Sequence, residues 1–138
     1  MLHMIKLVVG CATIDELAAR MQHERVDGHG FVRTRTMPRQ ADEILGGGSL
    51  YRVMNGTLIC RQPIAGFRAI TRPDGQPGTL ILVTDEIIPV MPRAMRPFQG
   101  WRYLKPDDAP ADLGNQTASG IENLPPNLRR ELADLGLI

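Results

Sequence analysis

Aromatic and cationic side chains concentrate in one short stretch of this sequence, residues 96–105. The whole chain has three phenylalanines, two tyrosines and one tryptophan, and half of these rings fall in this stretch. Its aromatic and cationic residues are Arg96, Phe98, Trp101, Arg102, Tyr103 and Lys105. Aromatic rings stack on nucleic-acid bases, and neighbouring cations meet the phosphates of the same strand. The stretch therefore indicates binding of RNA or a nucleotide.

The same aromatic residues could instead serve a structural role or an assembly role. Phe98, Trp101 and Tyr103 can anchor the sheet from inside, with the Trp N–H and the Tyr O–H finding polar partners as buried rings usually do. They can also form a contact between subunits, because Trp, Tyr and Arg are common interface anchors. In a strand, Trp101 and Tyr103 share one face, which permits a stacking role. A homo-oligomer therefore stands beside RNA or a nucleotide as a predicted partner.

A second pair of cations comes from a predicted β-hairpin around Asn55-Gly56. This dipeptide between alternating apolar runs predicts a type I′ turn, which needs positive φ at both central residues. An unbroken register pairs Met54 with Thr57, Val53 with Leu58, Arg52 with Ile59, Tyr51 with Cys60 and Leu50 with Arg61. Arg52 and Arg61 then lie diagonally on one sheet face, where their planar guanidinium groups could share a phosphate. The alternatives are a solvated face or ion pairs with the acidic tail.

The charge distribution along the chain agrees with an anionic ligand. The net charge is +1, but residues 29–105 carry eleven Lys or Arg against five Asp or Glu, and residues 106–138 carry two against six. A basic body can attract a polyanion, and it can equally attract its own acidic tail. The candidate ligand-binding residues are Arg52, Arg61, Arg96, Trp101, Arg102 and Tyr103.

No pattern in the sequence supports a cofactor, a metal or catalysis. The three glycines at 46–48 lack the G-K-[ST] ending of a phosphate loop and precede a strand instead of a helix. Asp85 and Glu86 are adjacent, so in a strand they point to opposite faces and make a poor acid–base pair. His23 and His29 do not have a metal-ligand spacing. We expect no metal, no cofactor and no catalytic residue.

Local patterns predict the elements that must position these residues. Residues 4–10 form a strand, and Thr13 with Glu16 caps a helix whose apolar stripe is Ile14, Leu17, Ala18 and Met21. A strand at 31–38, a short helix at 39–45 and the hairpin follow, and then further antiparallel strands separated by turns. Cys60 lies in an alternating apolar run and is predicted to be buried.

This order of elements predicts an α+β protein. The sheet is expected to be mainly antiparallel, and either strongly curved or closed into a small PUA-like β-barrel, with two to three flanking helices. We predict one domain over residues 1–138, with a body at 1–105, a linker-like segment at 106–122 and a helix at 123–136. The amino-terminal apolar run is too short to span a bilayer, so a cytoplasmic protein without a membrane segment is expected.

Two blocks, "GGGSLYRV" and "RPFQGWRYLKPDDAPADL", together with the leading "IKLVVG", resemble a bacterial family known only as a domain of unknown function. The resemblance covers nearly the whole chain and implies no activity. The order of elements is also similar to that of the small barrels of the PUA, ASCH and EVE group. That second resemblance implies binding of RNA or of modified bases.

Three functional hypotheses follow. The first is a small nucleic-acid or nucleotide-binding module. The second is a hydrolase acting on a modified nucleoside, as some ASCH-type domains are, for which the short helix offers Arg39, Asp42 and Glu43. The third is a non-enzymatic protein that assembles with copies of itself.

Overall fold

A computed structural model describes residues 1–113 of the chain. It begins with β1 (His3–Leu7), α1 (Ile14–His23), β2 (Arg25–Val26), β3 (His29–Thr34) and α2 (Ala41–Leu45). It continues with β4 (Ser49–Met54), β5 (Thr57–Thr71), β6 (Pro77–Val83), β7 (Ile88–Ala94), β8 (Trp101–Leu104) and a short 3-10 helix (Pro106–Asp108). The predicted helix at 123–136 and most of the predicted linker-like segment lie outside the described residues. None of the helices in residues 1–113 is both long and apolar enough to cross a membrane.

The eight strands form one mixed sheet in the order β2-β3-β6-β5-β4-β1-β8, and β7 pairs with β5 beside that path. β1 and β4 run parallel, and the other six pairings are antiparallel. The long strand β5 pairs with β7 along residues 57–61 and with β6 along residues 64–71. The described chain is therefore an α+β structure with a mainly antiparallel sheet, in agreement with the element order.

The sheet is not closed into a barrel, so the predicted barrel alternative is wrong for the described residues. Strands β2 and β3 form one end of the sheet and β8 forms the other. In residues 1–113 these two ends form no ladder with each other. Side chains connect them instead. The Trp101 Nε1–H donates to the Thr36 carbonyl oxygen at 3.0 Å, and the Gln40 N–H donates to the Tyr103 hydroxyl oxygen at 3.1 Å. The gap between β3 and β8 is consequently an open cleft.

Helix α1 begins at the predicted capping box. The Thr13 hydroxyl oxygen accepts a hydrogen bond from the Glu16 N–H at 3.1 Å, and the Glu16 carboxylate accepts one from the Ala12 N–H at 3.3 Å. The first bond satisfies an unpaired backbone donor of the first helical turn, and the second satisfies the N–H of the residue before the N-cap. Leu17 and Met21 of the predicted stripe are buried, so this stripe fixes α1 against the sheet.

The predicted hairpin turn is confirmed, because Asn55 and Gly56 both have positive φ, 50° and 78°. The register next to the turn is also as predicted, with Met54 opposite Thr57 and Val53 opposite Leu58. The local sequence thus determines the turn and the first two pairs of the ladder.

Beyond those pairs the predicted register is wrong. A β-bulge at Ile59 places Arg52 opposite Cys60 and Arg61 opposite Tyr51. One extra residue in one strand moves all the following side chains to the other face. Arg52 and Arg61 are therefore on opposite faces of the sheet and cannot share one phosphate.

Apolar side chains cover both faces of the central strands. The cluster on the α1 side includes Met4, Leu17, Met21, Leu50, Cys60 and Ile81. The cluster on the other side consists of Ile5, Tyr51, Val53, Leu58 and Val90, with Phe98 and Leu104 against it. Adjacent residues of β1 supply opposite clusters because side chains alternate along a strand. A ligand site is consequently expected at the open edge of the sheet rather than on a broad face.

Candidate functional site

Trp101 and Tyr103 lie on the same face of β8, as the sequence predicts. Trp101 is opposite Lys6 of β1 and Tyr103 is opposite Met4, and the two rings meet edge to face with centroids 4.9 Å apart. The polar atom of each ring is bonded to the segment that follows β3. Both rings are therefore tied to this segment, although the indole is only partly buried and Tyr103 is 36% exposed.

Arg102 points away from this pair of rings. It lies opposite Ile5 in the β1–β8 pairing, and its guanidinium carbon lies 4.8 Å from the centroid of the Phe98 ring. Phe98 packs against the second apolar cluster. The exposed Arg96 precedes this region. Neither arginine lines the cleft beside Trp101.

Arg52 lies in the interior, only 3% exposed. Its Nη1–H donates to the Gln62 side-chain oxygen at 3.0 Å, and its Nη2–H donates to the Leu7 carbonyl oxygen at 3.3 Å. Its Nε has no hydrogen-bond partner within the described chain. No Asp or Glu of residues 1–113 forms an ion pair with it. Burial lowers the pKa of Arg52 to about 10, so the side chain keeps its positive charge at neutral pH.

Arg61 belongs to a separate polar cluster on the other face of the sheet. Its Nε and Nη2 donate to the two carboxylate oxygens of Asp112 at 2.7 and 2.8 Å, and its Nη1 donates to the Ser49 hydroxyl oxygen at 2.8 Å. The Ser49 backbone N–H donates to His3 Nδ1 at 2.9 Å. Burial, followed by the charge of Arg61, lowers the pKa of His3. This pairing is the alternative that the sequence left open, because Arg61 binds an acidic residue of the carboxy-terminal region.

The Arg61–Asp112 pair predicts a pH-dependent contribution to stability. The hydrogen bonds from Arg61 hold the pKa of Asp112 below its ordinary value, so the pair stabilises the fold above the unfolded pKa of about 4 and loses this effect as the pH falls through the folded value. We expect Asp112→Asn to lower the free energy of unfolding at neutral pH by less than about 1 kcal/mol, because the pair is partly exposed. Urea unfolding at neutral and acidic pH measures both effects.

Asp107→Asn is the matched control, because no cation of residues 1–113 forms an ion pair with Asp107. The difference in stability between wild type and Asp112→Asn should shrink on acidification. A difference that stays constant from neutral to acidic pH would contradict the assignment of the effect to this ion pair.

The six predicted ligand-binding residues therefore do not form one site. Trp101 and Tyr103 lie on one face of the sheet edge, Arg61 and Arg102 lie on the other face, Arg52 is buried and Arg96 is exposed elsewhere. The sequence leaves open whether these residues converge, and the structure brings together only Trp101 and Tyr103 among them. The bulge at Ile59 and the alternation of side chains along β8 are the physical reasons.

A different set of cations surrounds Trp101, in the cleft between β3 and β8. This cavity has a volume of about 740 Å³, within the usual range of roughly 300–1,000 Å³ for ligand pockets. Its walls are formed by β1, by the end of β3 with the two residues that follow it, and by the turn before β8. The side chains with relevant chemistry are Lys6, Arg33, Arg35, Gln99 and Trp101. We refer to this cavity as the basic cleft.

The basic cleft has a strongly positive lining. Three cations, Lys6, Arg33 and Arg35, line it, and none of its lining residues within the described chain is an Asp or a Glu. The Arg33 guanidinium carbon lies 5.2 Å from the centroid of the Phe31 ring, a cation–π contact that holds the arginine beside the cleft. Burial, followed by the charge of Arg52, lowers the pKa of Lys6. An anion in the cleft would relieve the repulsion among these cations.

Sequence reasoning did not single out Lys6, Arg33 or Arg35. The signals were present, because Arg33 and Arg35 alternate in the predicted strand at 31–38, and Lys6 is the one charged residue in the amino-terminal apolar run. What the sequence does not contain is the adjacency of β1, β3 and β8. Within residues 1–113, no three His, Cys, Asp or Glu side chains come together as a metal site would require.

The fold and the cleft define a class of protein: a small α+β protein with a basic cleft at the open edge of its sheet. The chain belongs to a family described only as a protein of unknown function (DUF1489), whose members' pattern matches residues 4–138. The predicted membership of such a family is thus confirmed. No curated protein and no solved structure gives a significant match to this chain, and the similarity in layout to the PUA group is not confirmed.

Proposed function

We propose that this protein binds single-stranded nucleic acid in the basic cleft. Phosphates of the strand would lie against Lys6, Arg33 and Arg35, and one base would lie against the Trp101 ring. The observation that carries the proposal is the lining of the cleft, which contains three cations and one indole ring and, within the described chain, no Asp or Glu. Base stacking on an aromatic ring contributes about 1–3 kcal/mol per base.

A single strand fits this cleft better than a duplex does. Bases of a duplex are stacked on one another, whereas those of a single strand can be turned out against an aromatic side chain. Trp101 is held in place by its bond to Thr36 and by its edge contact with Tyr103. A fixed, partly accessible ring costs little ordering entropy on binding, which favours a stacking role.

The two alternative functions have less support. Asp42 and Glu43, the carboxylates considered for a hydrolase, are exposed on α2 and do not line the basic cleft. Within residues 1–113, no comparable observation favours self-assembly. The large exposed apolar side chains come from separate parts of the chain, as Val9, Leu45 and Met91 do. We therefore retain nucleic-acid binding as the proposal.

The tryptophan of the cleft provides the test, because it is the only one in the chain. Titration with short single-stranded RNA of mixed sequence should quench the fluorescence of Trp101 in a saturable manner. Arg33→Gln should weaken this binding by roughly tenfold, because a hydrogen bond to a charged group is worth about 1.5–3 kcal/mol. The measurement is the quenching isotherm of each protein at one fixed salt concentration.

Arg68→Gln makes the same chemical change at an exposed arginine that pairs with Asp27 and does not line the cleft. We expect this control to bind RNA as the wild type does. Equal losses in Arg33→Gln and Arg68→Gln would mean that the cleft does not direct binding. An RNA titration that leaves the fluorescence unchanged would refute the placement of a base on Trp101.

A further inference from the structure

We propose that Arg52 forms the floor of a separate anion subsite at the inner end of the basic cleft, and that this subsite takes a phosphate monoester. That the monoester is the terminal phosphate of a nucleic-acid strand rests on the function proposed above. The anion subsite itself rests on the surroundings of Arg52.

Arg52 carries a charge that no carboxylate of residues 1–113 pairs with. A guanidinium group has five N–H donors. In residues 1–113 Arg52 donates to one amide oxygen and one backbone carbonyl oxygen, and its Nε has no partner. A buried charge without a counter-charge is costly. Arginine cannot avoid this cost by losing its proton. A bound anion would supply the missing charge.

Arg52 lines a cavity of about 200 Å³ that lies between α1, β1 and β3. Its charged residues are Lys6, Arg20, Arg33, Arg52 and Glu24. Four cations against one carboxylate leave an excess of three positive charges. Lys6 and Arg33 also line the basic cleft, so the two cavities adjoin.

The charge and size of the cavity favour a phosphate monoester over a phosphodiester. A phosphate monoester carries about −1.5 to −2 charges at neutral pH, whereas a phosphodiester within a strand carries one. The monoester therefore neutralises more of the excess charge. A phosphodiester is also bonded to sugar on both sides, and the strand would have to pass through the small cavity. A terminal group needs to enter only once, from the basic cleft.

Inorganic phosphate is the direct probe of this subsite. At matched ionic strength, phosphate in place of chloride should raise the melting temperature of the wild type, because a ligand that binds only the folded state stabilises it. In Arg52→Met only the smaller shift from the general salting effect of phosphate should remain. In chloride alone, Arg52→Met should stay close to the wild type in stability, because the loss of an uncompensated buried charge offsets the loss of the donor to the Gln62 side-chain oxygen. A merely structural arginine would instead give a less stable variant that keeps the shift.

Glu24→Gln provides a second variant that leaves the Arg52 side chain in place. Removal of the one carboxylate in the cavity should strengthen phosphate binding, measured as a larger shift at the same phosphate concentration. The general salting effect of phosphate acts equally on all these proteins and cancels in the comparison. A wild type that shows the same melting temperature in both salts, or a Glu24→Gln variant with a smaller shift, would overturn the subsite.

Oligonucleotides with and without a 5′-phosphate or 3′-phosphate then separate the two proposals. We expect the wild type to bind one terminally phosphorylated strand roughly tenfold more tightly than the unphosphorylated strand, and Arg52→Met to bind both equally. Tight binding without any terminal preference refutes the subsite and leaves the basic cleft intact. A phosphate shift that depends on Arg52, without binding of any oligonucleotide, supports the subsite and refutes the nucleic-acid function.

Discussion

Replacement of Lys6, Arg33 and Arg35 together by glutamine is expected to weaken binding of single-stranded nucleic acid by at least roughly a hundredfold. Each cation that meets a phosphate displaces a condensed counterion, and for single strands the logarithm of the affinity falls with the logarithm of salt by about 0.7 per contact. Loss of three contacts should therefore reduce this slope by about 2. Fluorescence anisotropy of a labelled strand over a series of salt concentrations measures both quantities.

A second triple variant tests whether the effect belongs to the cleft or to the overall charge. Arg96→Gln, Arg102→Gln and Lys105→Gln remove the same number of charges from the segment that the sequence favoured. Arg102 stacks on Phe98 on the other face of the sheet, so this variant should keep most of the affinity and of the salt slope. If it loses more affinity than the cleft variant does, the strand lies along residues 96–105 and the basic cleft is not the interface.

One triple variant changes cations that only the structure brings together, and the other changes cations that the sequence itself singled out. Local signals were sufficient for the capping box at Thr13 and for the type I′ turn at Asn55-Gly56, because both depend on backbone groups only a few residues apart. They were sufficient as well for the shared face of Trp101 and Tyr103. In each case the relevant periodicity is that of a single element.

Local sequence signals do not predict the bulge at Ile59. Its sequence context alternates as a regular strand does, and the extra residue becomes visible only when β5 pairs with β4 on one side and with β7 on the other. The register of that second pairing also shifts between Leu58 and Cys60. The pairing of β5 with both neighbours thus reveals the bulge, and the bulge removes the predicted partnership of Arg52 with Arg61.

The basic cleft depends on long-range pairing to a still greater extent. Its cations come from β1 and from the end of β3, and its indole comes from β8. Strand β1 pairs in parallel with β4 on one side, which leaves its other edge free for β8. A sequence that gives the type of each strand does not give this order of strands. The charge excess of residues 29–105 indicated an anionic ligand, but it could not indicate which of the cations would meet it.

The same dependence on long-range contact leads to a strong prediction for the third glycine at 46–48. Gly48 is buried, its N–H donates to the Ile44 carbonyl oxygen at 2.7 Å, and its own carbonyl oxygen accepts from the Ile64 N–H at 3.1 Å. A Cβ atom at this position would overlap the Leu2 carbonyl oxygen and lie 2.6 Å from that of Ile44. Because backbone atoms cannot turn aside as a flexible side chain does, we expect Gly48→Ala to lower the free energy of unfolding by more than about 3 kcal/mol.

Gly46→Ala is the matched control two residues away. A Cβ there meets the Glu43 carbonyl oxygen at 3.4 Å, which is an ordinary contact, and φ is −77°, which alanine adopts freely. We expect this change to be neutral or to stabilise by about 0.4–1 kcal/mol, through the lower entropy of the unfolded chain. Urea unfolding of both variants at neutral pH gives the comparison. If Gly48→Ala is as stable as Gly46→Ala, then β1 and the end of α2 do not approach each other as closely as described, and the position of Lys6 in the basic cleft must be revised, since β1 carries it.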